Sequence, residues 1–105
     1  MPGLEELAKS NVQKVKGKFN KNVVQLVTIS TCIWCKRMKN MLNENEIEYE
    51  YTDIDLLPIL EKNSLKRFLL NYTDRLAFPM AFVNGKYYGT GDADGLLRRL
   101  KEDGN

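Results

Sequence analysis

The chain holds two cysteines, and they stand together in Cys32-Ile33-Trp34-Cys35. At this spacing both sulfurs can meet across the first turn of a helix. A disulfide there opens and closes without unfolding the protein, which is what dithiol redox chemistry requires. A helix N-terminus offers unpaired backbone N–H groups and partial positive charge, and both favour a thiolate on Cys32. Cys32 is then the nucleophile and the better leaving group. Cys35, one turn further in, is expected to be more buried and to attack the mixed disulfide that Cys32 forms. A permanent disulfide and half of a metal site are the structural alternatives. With no histidine in the chain, a four-ligand zinc site lacks donors, and histidine-based acid–base catalysis is excluded. Trp34 offers a flat apolar wall beside the reactive sulfur, where a substrate thiol or peptide can lie. Lys36 and Arg37 fall past the helix start and read as a solvated face.

The elements around the pair follow from periodicity. Val23 to Ile29 is a short, nearly continuous β-rich run, as in a strand covered on both faces. Met38, Met41 and Leu42 extend a helix over about 33–44. Ile47 to Thr52 alternates like a strand. Pro58 opens a helical pattern that runs to Tyr72. Met80 to Val83 and Lys86 to Tyr88 are strands joined by Asn84-Gly85, a strong hairpin signal. Asp92 caps a last helix carried by Leu96, Leu97 and Leu100. Before all of these, Leu4, Leu7, Ala8, Val12 and Val15 predict an amphipathic helix over about 3–16, closed by Gly17. The order is α-β-α-β-α-β-β-α. It predicts an α/β domain in which a right-handed parallel βαβ unit and an antiparallel hairpin share one mixed sheet, with helices on both faces.

Composition narrows the class of function. A chain of 105 residues reads as one domain over 1–105, with its core over about 21–103. A net charge of +2 is too mild to point to nucleic acid. No apolar run approaches membrane-spanning length, and the first ten residues, with Glu5, Glu6 and Lys9, do not read as a signal peptide. Two cysteines cannot build a secreted disulfide scaffold, so a cytoplasmic location is expected.

Three blocks together resemble the glutaredoxin family. The first is Thr31-Cys32-Ile33-Trp34-Cys35-Lys36-Arg37, followed by Ile47-Glu48-Tyr49-Glu50. The second is Phe78-Pro79-Met80-Ala81-Phe82-Val83-Asn84-Gly85. The third is Gly89-Thr90-Gly91-Asp92. The resemblance implies a thioredoxin-like, glutaredoxin-type fold: a four-stranded mixed sheet with helices on both faces and an extra N-terminal helix. It implies a cis peptide bond before Pro79, with the Phe78 backbone pairing with a bound peptide or glutathione. It assigns Gly91 and Asp92 to the ligand, and Arg75 to a ligand carboxylate. The chain departs from the family where Ile33 and Trp34 replace Pro-Tyr, and at Ile29, Ala77 and Thr90. These changes weaken the glutathione site.

The resemblance implies a thiol–disulfide oxidoreductase that acts as a monomer on disulfide-containing proteins or small thiols. No bound cofactor or metal is expected; glutathione or another low-molecular-weight thiol serves as co-substrate. The alternative is an iron–sulfur cluster carrier, a dimer bridged through Cys32. A third possibility is an interaction module whose redox role is minor.

Overall fold

The computed structural model describes residues 12–102. In chain order its elements are β1 (Gln13–Val15), β2 (Val24–Thr28), α1 (Ile33–Glu44), β3 (Tyr49–Asp53), α2 (Ile59–Leu69), β4 (Met80–Val83), β5 (Lys86–Thr90) and α3 (Ala93–Glu102). A single 3-10 turn, Ile54–Leu56, joins β3 to α2. The sheet runs β1-β3-β2-β4-β5. β2 and β3 are parallel, in a register that carries Gln25 beside Glu50 and Thr28 beside Asp53. β4 lies antiparallel on the other side of β2.

All five residues of β2 are covered, its polar Gln25 and Thr28 included, because helices close both faces of the sheet. On one face Leu26, Tyr49 and Ala81 pack with Met38 and Leu42 of α1 and with Leu96 and Leu100 of α3. On the other face Val27, Met80 and Phe82 pack with Leu65 and Leu69 of α2. The β4–β5 turn places both Asn84 (φ 53°) and Gly85 (φ 82°) in the left-handed region, as a two-residue hairpin of the primed type demands. The Asn84 side chain also accepts the Val23 N–H at 2.8 Å, which ties the turn to the start of β2.

Among the described residues the sheet has five strands rather than the four expected, and the difference lies at the N-terminal side. Gln13–Val15, expected at the end of a helix, is a strand antiparallel to β3, pairing Gln13 with Tyr51 and Val15 with Tyr49. The rest of the expected helix, over about 3–11, lies outside the described residues. Spacing misleads here because Val12 and Val15 fit one helix face, whereas the free edge of β3 supplies backbone partners that no local pattern records. Gly17 does not end a helix. It lets the chain press against the neck before β3, where an added Cβ would stand 2.6 Å from the Glu46 carbonyl oxygen. Phe19 then exchanges backbone hydrogen bonds with Glu46 and Glu48, at 2.9 and 3.0 Å. No described helix is long and apolar enough to cross a membrane.

Candidate active site

The end of β2 delivers the chain to the cysteines through a short braced loop. Ser30 is held by Asp55, which accepts its N–H at 2.9 Å and its hydroxyl at 2.5 Å. The Cys32 N–H bonds the Ile29 carbonyl at 3.1 Å. Cys32 itself is the N-cap of α1, with φ −82° and ψ 122°. Its sulfur replaces the usual capping oxygen and accepts the Cys35 N–H at 3.3 Å. Both thiols are free; Cys32 is partly exposed and Cys35 is buried.

The same helix start makes the two thiols chemically unequal. Desolvation pushes the Cys32 thiol up, but hydrogen bonds from Cys35 and from the Trp34 backbone outweigh it, with help from the Lys39 charge. The net shift is downward. Cys35 moves the other way. Its burial, reinforced by the hydrogen bond to Cys32, pushes it up to about 12. Cys32 is thus prepared to attack first, and Cys35 is held protonated until a mixed disulfide forms beside it.

Across from the sulfur lies the Phe78-Pro79 peptide bond, which is cis. The Phe78 carbonyl oxygen is 3.9 Å from the Cys32 sulfur. Pro79 is buried and Phe78 half-buried. The Pro79 carbonyl accepts the Gly91 N–H at 2.9 Å, which joins the second sequence block to the third. Gly91 has φ 70°, so glycine is needed for that turn. Asp92 then caps α3: its Oδ1 accepts the Gly95 N–H at 3.0 Å, and its Oδ2 accepts the Tyr88 hydroxyl at 3.4 Å.

A cavity of about 300 Å³ opens between the starts of α1 and α3, lined by Trp34, Arg37, Met41, Gly91, Asp92 and Asp94, among others. Trp34 is 56% exposed. The Arg37 guanidinium lies 4.8 Å from the centre of its ring. The structure therefore gathers Trp34, Gly91 and Asp92 around one cavity and sets Phe78 and Pro79 beside Cys32. Arg75 is exposed in the segment before Pro79 and does not line the cavity.

Several contributors escaped the sequence reading. Arg37 is part of the cavity rather than a plain solvated face; its spacing of three from Trp34 on a helix was the available signal. Met41, read only as part of the helical spacing of α1, lines the same wall. A polar cluster at the ends of β2 and β3 was also missed: Lys39 pairs with Asp53 at 3.4 Å, and the buried Thr28 hydroxyl bonds Asp53 at 2.6 Å.

A reactive sulfur at the junction of a central strand and a helix, facing a cis X-Pro bond, places the molecule among thioredoxin-like folds. The model of the glutaredoxin family matches residues 24–88, more than half of the chain, and the chain belongs to that family. Members of the family are thiol–disulfide oxidoreductases. Among curated proteins it is similar to the human mitochondrial glutaredoxin-2, 28% identical over 101 residues, covering 96% of this chain and 58% of that protein. The chain thus spans less than two thirds of that relative's length. Among solved structures, the glutaredoxin from Methanosarcina mazei Go1 superposes with a TM-score of 0.74 at 22% identity, covering 86% of this chain and 87% of that one. A buckwheat glutaredoxin, solved as a glutathione complex, has a TM-score of 0.65 at 22% identity, with 80% of each chain covered.

Proposed function

We propose that this protein reduces protein or low-molecular-weight disulfides by dithiol exchange through Cys32 and Cys35. The observation that carries the reading is the inequality of the two sulfurs: one partly exposed with its thiol shifted down, the other buried with its thiol pushed up to about 12. The Cys32 thiolate attacks one sulfur of the substrate disulfide, and the other sulfur leaves as a thiolate and takes up a proton. Cys35 then attacks the Cys32 sulfur. The Cys32–Cys35 bond forms, the mixed disulfide breaks, and the second substrate sulfur leaves reduced. The substrate gains two electrons and the protein ends as its disulfide.

The co-substrate that returns those electrons is, in this reading, glutathione or another small thiol of similar chemistry. The cavity between the starts of α1 and α3 supports it: Trp34 gives an apolar wall, Asp92 an anion for a ligand ammonium, and Gly91 room for close approach. Phe78 presents backbone next to the sulfur, in front of Pro79. Arg75 serves as an outer cation for a ligand carboxylate. The buckwheat glutaredoxin of the same fold holds glutathione.

The test is reduction of a peptide–glutathione mixed disulfide and of a protein disulfide, with each reductant offered in turn. Cys32→Ser is expected to abolish both activities. Cys35→Ser is expected to lose protein disulfide reduction selectively. Full activity in Cys32→Ser would overturn the mechanism.

A further inference from the structure

The side of α1 that carries Cys35 also carries Lys39, one turn further along, because residues four apart share a helix face. Lys39 is not a free surface cation. Its side chain is only 18% exposed, and its ammonium lies 3.4 Å from Asp53 Oδ1. The same ammonium stands 3.8 Å from the centre of the Tyr51 ring. Asp53 is fixed in turn by Thr28, its neighbour in the parallel register, whose hydroxyl is 2.6 Å from the same Oδ1 and 3.1 Å from the Thr52 carbonyl. The residue after Thr28 is Ile29, whose carbonyl accepts the Cys32 N–H at 3.1 Å and whose backbone favours the Cys35 thiolate. The ion pair is thus tied through the end of β2 to the loop that carries the cysteines.

We propose that the Lys39–Asp53 pair positions charge behind Cys35 and sets the rate at which Cys35 resolves the mixed disulfide, an inference that rests on the dithiol reading above. In that step the Cys35 S–H bond breaks and the Cys32–Cys35 S–S bond forms. The Cys32–substrate S–S bond breaks, and the departing thiolate takes up the proton that Cys35 lost. No outside oxidant or reductant enters. Negative charge develops on a buried sulfur, where low polarity magnifies the influence of nearby ions. The titratable groups at this corner are Cys32 at the N-cap of α1, Lys39 from α1, and Tyr51 and Asp53 from β3; β2 contributes only the Thr28 hydroxyl, and the loop after it the Ile29 amide. Lys39 favours the thiolate on both cysteines. Asp53 holds Lys39 in place and offsets part of its charge. Lys39 is a positioning residue in this scheme, acting through Cys35 without touching substrate.

The two partners therefore push in opposite directions, and a merely structural pair would not. Lys39→Met removes the cation and leaves the carboxylate, so the thiolate becomes harder to form. Asp53→Asn keeps the shape and an acceptor oxygen but removes the anion, so the thiolate becomes easier to form. A rise of one unit in thiol pKa cuts the thiolate fraction about tenfold, and the greater nucleophilicity of the more basic sulfur returns about threefold, leaving roughly threefold slower attack.

The experiment mixes fully reduced protein with an aromatic nitrobenzoate disulfide in a stopped-flow instrument and reads the released aromatic thiol. The first equivalent reports attack by Cys32, and the second reports resolution by Cys35. Lys39→Met is expected to slow the second phase about threefold near neutral pH and to move its pH profile upward, Lys39→Arg to restore it, and Asp53→Asn to speed it and move the profile downward. If Lys39→Met does not fold, Lys39→Gln is expected to show the same slowing. Equal slowing in the lysine and aspartate variants, or no change in either, would overturn the proposal. A second phase that persists in Cys35→Ser would instead overturn the dithiol reading itself.

Discussion

Alkylation of the reduced protein with iodoacetamide tests the unequal cysteines directly. The perturbation is pH, applied to the wild type and to Cys35→Ser, which isolates Cys32. In the folded protein the Cys32 thiol lies below its ordinary value of 9.0 and the Cys35 thiol near 12, so at least about three units separate them. Well below both values, the thiolate fraction at Cys32 exceeds that at Cys35 by at least about a thousandfold. The more basic sulfur is intrinsically more nucleophilic, with a Brønsted slope of about 0.45, and this returns about twentyfold. The expected preference is at least about fiftyfold for Cys32, and the complete burial of Cys35 widens it. Peptide mapping after timed quenching reads each site separately. Cys32 is expected to take up the label with an inflection below 9.0, while Cys35 stays unlabelled until the protein is unfolded in denaturant. In Cys35→Ser the inflection should move little, because a serine hydroxyl replaces the Cys35 side-chain donor and the backbone N–H at that position still reaches the Cys32 sulfur. Comparable labelling of both cysteines in the native state would refute the argument, since it would mean that helix start and burial do not separate them.

Three further outcomes follow from the structure. Gly17→Ala would drive a methyl group into the backbone of Glu46 and Glu48, and a loss of about 1–3 kcal/mol is expected in urea unfolding with an unchanged slope. Asp92→Ala removes the cap of α3 and is expected to cost about 0.5–2 kcal/mol; in steady-state kinetics it should also raise KM for the small thiol more than it lowers kcat. The third outcome is a pH dependence. The Cys35 thiol is raised above its ordinary 9.0 in the folded state, so its contribution to stability is fully present below that value and is lost as pH rises toward about 12. The reduced wild type should therefore lose stability relative to Cys35→Ala across that alkaline window. Parallel curves for the two proteins would contradict the assignment.

The parts of the fold set by local chemistry were readable from the residues. Met38 and Leu42 gave α1 its correct limits, and Asn84-Gly85 required the turn that is found. Asp92 showed itself as a cap because capping depends on residue type and spacing. What escaped depends on pairing over distance. β1 holds one half-covered residue, Val15, so it has no alternation to read; it exists because β3 offers an edge. The contact between Lys39 and Asp53 joins a helix to a strand fourteen residues away, and only the crossover geometry brings them together. In the site, the cysteines and the Phe78-Pro79 bond were legible as motifs. The cavity wall was not, because Arg37 and Met41 carry chemistry only once α1 has been turned toward α3.

The short strand β1 has a consequence for how the molecule meets its own copies. An uncovered strand edge presents unpaired N–H and C=O groups and templates the addition of another chain. Without β1 that edge would be β3, which carries Tyr49 and Tyr51 and has high β-propensity. Among the described residues, β1 replaces it with a three-residue edge whose Lys14 side chain is 75% exposed, a poor template because the run is short and charged. Proteolytic nicking between β1 and β2 would undo this cover while leaving the cysteines and their helix untouched. The product to look for is a redox-competent chain that self-associates through its sheet, so that loss of solubility would precede any loss of chemistry.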